Sequence, residues 1–149
     1  MIVRASAEDA ACILELQKLA YRSEAAIHND FTISPLLQTL DDLRGEFASK
    51  TILKAILNEQ LVGSVRACEQ DGTCCVERLI VHPDFQGNGI GTSLMHAIES
   101  CFPTAKRFEL FTGHKSERNL RLYKRLGYHV FRQQRINDAL IFTYMEKLK

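Results

Sequence analysis

Three glycines at alternate positions, in Gln86-Gly87-Asn88-Gly89-Ile90-Gly91, separate an apolar strand-like run from a helical pattern, and no other segment restricts the chain as tightly. Glycines so spaced let the backbone turn sharply and bring successive N–H groups against an anion, and the first turn of a helix adds its own unpaired N–H groups. The expected ligand is a phosphate. Two other glycine fingerprints fail. No Lys-Ser/Thr pair follows the last glycine, which removes a Walker loop, and Leu94 stands where a dinucleotide turn carries its third glycine. Glu109 lies near the distance of a ribose-binding acid, but three antiparallel-type strands precede the loop. A dinucleotide domain instead places this turn in the first strand–helix unit of a parallel sheet.

Around the loop the hydrophobic period changes twice. Residues 2–5 are a short apolar run, and Ser6 with Asp9 resembles a capping box, predicting a helix that starts there and carries Ala10, Ile13, Leu14, Leu16, Ala20 and Tyr21. Ser34 as N-cap and Pro35 as first residue predict one further helix bearing Leu36, Leu37, Leu40, Leu43 and Phe47. Residues 51–57, 61–68 and 73–81 are rich in Val, Ile, Leu and Cys and read as antiparallel strands joined by short hairpins. After the glycine loop come a helix over 92–102, a strand over 107–112, a helix over 117–126 stopped by Gly127, and a final hairpin of 128–132 with 139–145.

Composition narrows the classes. The 149 residues are 46% hydrophobic and 25% charged, with no repeat or linker, so one soluble domain spanning residues 1–149 is expected. Nineteen Lys plus Arg against eighteen Asp plus Glu argue against broad attraction to nucleic acid or an anionic membrane. The first residues acquire charge at once and no window is apolar enough for a membrane span, so a cytoplasmic location is expected. Cys12, Cys68, Cys74, Cys75 and Cys101 lack C-x-x-C spacing and read as reduced core residues, with Cys74 and Cys75 pointing to opposite faces of a strand. The histidines show no paired metal-ligand spacing, and no metal is expected.

The segment Val76-Glu77-Arg78-Leu79-Ile80-Val81-His82-Pro83-Asp84-Phe85-Gln86-Gly87-Asn88-Gly89-Ile90-Gly91 closely resembles the acetyl-coenzyme A motif of the GNAT superfamily of N-acetyltransferases. About 35 residues on, Ser116-Glu117-Arg118-Asn119-Leu120-Arg121-Leu122-Tyr123-Lys124-Arg125-Leu126-Gly127-Tyr128 resembles that superfamily's second signature. The resemblance implies an α/β (α+β) GNAT-type fold: a mixed, mostly antiparallel sheet of about six or seven strands flanked by about four helices, its strands splayed at the acetyl-CoA site. It further implies that Gln86, Gly87, Asn88, Gly89, Ile90, Gly91 and Thr92 wrap the pyrophosphate of acetyl-CoA, and that Leu79, Ile80 and Val81 meet the pantetheine arm through backbone groups.

Asn119 and Tyr123 lie four apart on one helical face, so the amide is placed to hold pantetheine and the phenol to reach the thioester sulfur, where it can protonate the leaving thiolate. Packing of Tyr123 against the sheet is the structural alternative. Glu77 precedes Leu79 and Val81 by two and four residues, shares their face on a regular strand, and is the first candidate for general base. A pairing with Arg66 or Arg107, or a water chain, stands beside that reading, and Glu69 and Glu109 are reserves. Lys115, Arg118, Arg121, Lys124 and Arg125 form a basic cluster that suits the coenzyme's 3′-phosphate or a solvated helix face.

The implied activity is N-acetyltransfer to a primary amine of a small molecule or peptide. A coenzyme-binding module without turnover is the alternative. The acceptor cleft is expected between residues 21–34 and 133–138, where Asp30 or Glu24 can hold an ammonium. The final strand, 139–145, is a candidate edge for a homodimer.

Overall fold

The computed structural model describes residues Met1–Lys149. Seven strands form one sheet in the order β1-β2-β3-β4-β5-β7-β6, with β1 at Ile2–Arg4, β2 at Thr51–Leu57, β3 at Gln60–Gln70, β4 at Thr73–Val81, β5 at Arg107–Gly113, β6 at His129–Arg135 and β7 at Ile141–Leu148. Only β4 and β5 run parallel. Five helices flank the sheet: α1 (Ala10–His28), α2 (Ser34–Leu37), α3 (Leu40–Glu46), α4 (Ile90–Ser100) and α5 (Glu117–Arg125). None is long and apolar enough to cross a membrane. Alternation along β2 separates the two layers, because Ile52 packs with Ala10, Ile13 and Leu43 of α1 and α3 whereas the next residue, Leu53, joins the cluster of Leu94, Met95 and Ile98 on α4.

Several expectations need correction. The predicted second helix is two, with Ile33 as its N-cap in place of Ser34. Gln38 turns extended, and Thr39 caps α3 by accepting the Asp42 N–H at 3.2 Å, with Asp41 and Asp42 favourably placed in the first turn. Residues 7–9 form a 3₁₀ turn before α1, Asp9 accepting the Ser6 N–H at 2.9 Å. Strand β7 is not an edge. It lies between β5 and β6, so the sheet's edges are the three-residue β1 and β6, the latter exposed along its whole length. Of the cysteines only Cys74 is buried; Cys12, Cys75 and Cys101 are exposed and Cys68 is intermediate. Cys74 and Cys75 do face opposite sides, and burial pushes the Cys74 thiol up to about 12.

Beneath α1–α3 the sheet carries a polar layer centred on Arg66, 1% exposed. Its guanidinium donates to Gln17 and Glu46, and Gln17 in turn donates to Pro35 O and Gln38 Oε1, both at 2.9 Å. Lys50 pairs with Glu46 at 2.7 Å and also with Glu77. Burial works against ionisation of Glu46, but Lys50, Arg66 and Gln38 outweigh it and hold the carboxyl below its ordinary range. Stability from Glu46 is therefore present above the ordinary carboxylate range and lost as pH falls through the depressed folded value. Urea melts of Glu46→Gln are expected to lose stability at neutral pH and to show a flatter acid limb than the parent.

Two glycines in the fold respond oppositely to a methyl group. At Gly113 a Cβ would stand 2.3 Å from Cε1 of His28, whose ring is pinned by Glu24 O at 3.0 Å and the Lys115 N–H at 3.1 Å. At Gly45 on α3 nothing lies within 4 Å. Gly113→Ala should destabilise by about 1–3 kcal/mol, and Gly45→Ala should stabilise by about 0.5–1 kcal/mol, both read from denaturant midpoints.

Candidate functional site

The site begins where β4 and β5 part. Their pairing lasts from Thr73–Arg107 to Cys75–Glu109 and then stops, while β4 stays on β3 through Val81. Backbone groups on the β5 side of β4 beyond that point face an open wedge. The expected splay is present.

Strand β4 is also irregular on its β3 side. Ser64 pairs with Ile80 but Arg66 pairs with Glu77, so Arg78 and Leu79 together oppose Val65 in a β-bulge, and Arg78 takes φ 53. The bulge reverses the alternation. Leu79 packs with the cluster of Cys74 and Val76, and Val81 Cγ2 would lie 3.8 Å from a Cβ on Gly91. Glu77 thus faces away from Leu79 and Val81, contrary to the regular-strand reading, and its carboxylate is engaged by Lys50.

After β4, the His82 N–H donates to Val62 O at 2.7 Å, Pro83–Phe85 make one 3₁₀ turn, and Asn88 Nδ2 donates to Phe85 O at 3.1 Å. Gly87 and Gly89 take φ 82 and 77, which side-chain-bearing residues rarely adopt, and a Cβ at either would meet nothing within 4 Å. Gly89 is the N-cap of α4, and its carbonyl accepts the Ser93 N–H at 3.0 Å. No acceptor in the protein takes the N–H groups from Gly87 to Thr92. They remain free for an anion at the positive end of an eleven-residue helix.

Helix α5 closes the wedge. Ser116, 1% exposed at its N-cap, donates to Glu24, and Arg118 donates to Gln86 across the groove. A cleft of about 570 Å³ results, walled by Leu79, Ile80, Val81, Gln86, Gly87, Gly89, Ile90, Gly91, Thr92 and Asn119. These ten expected residues come together. Asn119 Nδ2 also donates to Thr112 Oγ1 at 3.3 Å. Asn88, Tyr123 and Glu77 are not on the wall. Tyr123 sits one turn deeper, 6% exposed, its ring centroid 6.0 Å from that of Tyr128. Burial first, then the nearby Tyr21 phenol and Glu24 carboxylate, hold its hydroxyl above the ordinary phenol range. The group stays protonated.

Two parts of the wall draw on groups the sequence names without choosing among their members. Tyr21 and Glu24 line it from α1, and Arg118, Arg121 and Arg125 from α5, whereas Lys115 and Lys124 of the basic cluster do not. The 118, 121, 125 spacing, one helical face with Leu122, was the signal that sorts them.

A family model described as an acetyltransferase (GNAT) domain matches residues 20–149. The chain belongs to the GNAT acetyltransferase family. Among curated protein sequences no relative matches it. Solved structures share the GNAT fold along the whole chain. The PaiA N-acetyltransferase of Thermoplasma acidophilum, in complex with coenzyme A, aligns with a TM-score of 0.82 and 16% identity over 100% of this chain and 98% of its own. YncA of Salmonella typhimurium, a putative acetyltransferase with its cofactor acetyl-CoA, gives 0.77 and 20% over 99% and 92%. A spermidine N-acetyltransferase SpeG chimera from Vibrio cholerae and hSSAT gives 0.74 and 15% over 99% and 94%.

Free amides and three guanidinium groups on one cleft predict oxyanion binding by this GNAT chain. Inorganic pyrophosphate at a hundred times its Kd should raise unfolding stability by about 2.7 kcal/mol, and the combined Arg118→Ala, Arg121→Ala, Arg125→Ala protein should lose most of that protection in calorimetric scans.

Proposed function

We propose that residues 1–149 form one cytoplasmic N-acetyltransferase domain that moves the acetyl group of acetyl-CoA to a primary amine by direct attack. The observation that carries this reading is the row of free amides from Gly87 to Thr92, facing a cleft that runs along the open edge of β4. Those amides would hold the pyrophosphate, with Arg118, Arg121 and Arg125 beside the phosphates and Asn119 on the pantetheine arm. Acetyl-CoA supplies an activated thioester. A bond forms between the amine nitrogen and the acetyl carbon, the carbon–sulfur bond breaks, and the sulfur leaves as thiol.

Backbone N–H groups of residues 79–81 are the proposed donors to the oxyanion, since fixed dipoles need no reorganisation as charge develops. Tyr123 is the proposed acid. A buried, neutral phenol just beneath the cleft wall would give its proton to the sulfur as the carbon–sulfur bond breaks, so that thiol rather than thiolate departs. The ammonium must lose a proton before attack. Glu24 lines the cleft beside Tyr21 with the neutral Ser116 hydroxyl as its partner and is the proposed base, whereas Glu77 is held by the Lys50 ammonium and is absent from the wall. Amines are acceptors for the SpeG chimera by its name, which supports the acceptor class.

Thiol release from acetyl-CoA across a panel of amines tests the activity, and silence with every amine despite coenzyme binding would favour a binding module. Tyr123→Phe should lower kcat about a hundredfold with the Kd for acetyl-CoA little changed; equal losses in both, or none, would remove Tyr123 from the acid role.

A further inference from the structure

Charge in the polar layer beneath α1–α3 does not balance. Lys50, Arg66 and Arg78 enter it, and Glu46 and Glu77 answer the first two. Arg78 has no carboxylate partner. Its Nη2 donates to Ser34 Oγ at 3.2 Å, and its Nε is buried with no acceptor. The partly exposed guanidinium meets the Ser34 hydroxyl and the Tyr21 phenol but no anion, so its charge is open to a carboxylate. The same residue holds a left-handed φ of 53 at the bulge, a conformation that costs a residue with a side chain and persists where its surroundings enforce it.

Position gives this unanswered charge a use. Arg78 is not itself on the cleft wall; it immediately precedes Leu79, which is, and is partly exposed. Tyr21 also lines the cleft, and its phenol lies beside the Arg78 guanidinium, with the Glu24 carboxylate near as well. The free amides and Arg118, Arg121 and Arg125 already serve the phosphate end of the groove, so a coenzyme phosphate does not explain Arg78.

We propose that Arg78 selects the acceptor, and that the amine acetylated here carries a carboxylate close to its nitrogen, as a free amino acid does. The inference rests on the transfer reading above. The planar guanidinium fork and the Ser34 hydroxyl would take the carboxylate, while Glu24 faces the ammonium end. A polyamine, cationic along its length, would set a second positive charge against Arg78.

The test pairs free amino acids with their carboxamides as acceptors, with spermidine as a third arm, in a thiol-release assay with acetyl-CoA. Acids are expected to exceed amides by about tenfold or more in kcat/KM, mostly through KM, because a site built for a charge is left unpaired without it. Arg78→Met should erase that ratio and Arg78→Lys should keep part of it, with thermal stabilisation by coenzyme A unchanged in both. Amides or spermidine used as well as acids by the parent, or a ratio unchanged in Arg78→Met, would overturn the assignment while leaving acetyl transfer standing. The parent comparison needs no variant to fold. If no amine releases thiol, calorimetric titration of the coenzyme A-loaded protein with the same acids and amides decides. Tighter binding of acids that Arg78→Met abolishes would keep the anion site and sink the transfer reading, and equal binding of acids and amides would sink the anion site.

Discussion

Two parallel strands that hydrogen-bond for three residue pairs and then diverge set the terms for the rest of this molecule. A sheet cannot leave main-chain donors and acceptors unmatched in its middle without cost, so the wedge has to be filled by side chains, by solvent or by another extended chain. Here α5 is laid over its mouth but not into it, tied to α1 through Ser116 and Glu24 and to the glycine loop through Arg118 and Gln86. The groove that remains is walled by β4 and by a helix terminus whose N–H groups have no protein acceptor. That shape suits a ligand that is peptide-like along its middle and anionic at one end.

Much of this was legible in the chain. The alternating glycines announced a strand-to-helix junction, and hydrophobic periods located every strand to within a few residues. What escaped notice had weak local signals. The break at Gln38 between α2 and α3 depends on Thr39 competing for the Asp42 amide, a choice indistinguishable in sequence from a helix running through. The bulge at Arg78 is less visible still, because arginine carries no marker for a left-handed backbone, yet this single inserted residue reverses which face Glu77 and Leu79 occupy. Strand order also lay beyond local pattern: whether β6 or β7 takes the edge is decided by long-range pairing with β5. Cysteine burial misled for a simpler reason, since small apolar side chains at helix ends and on the outer face of a strand need not be covered.

Polar burial is concentrated on one side of the sheet. Arg66 is as hidden as any leucine in the core, and it is tolerated because Glu46, Gln17 and Gln38 surround its fork. Such a layer adds little net stability over an apolar one, and its hydrogen bonds and ion pairs link α1, α2 and α3 to β3 and β4. Tyr21 and Glu24, which border the cleft from α1, inherit their positions from that arrangement.

The bulge separates two jobs within a single strand. On one side of it, main-chain atoms and glycines line the groove, and their chemistry is the same whichever side chains surround them. On the other, the Arg78 guanidinium faces Ser34 of α2 and Tyr21 of α1. Under the assignment proposed for Arg78, a lineage built on this scaffold would change what it modifies by replacing one residue at the kink, while inheritance of the donor site proceeds untouched.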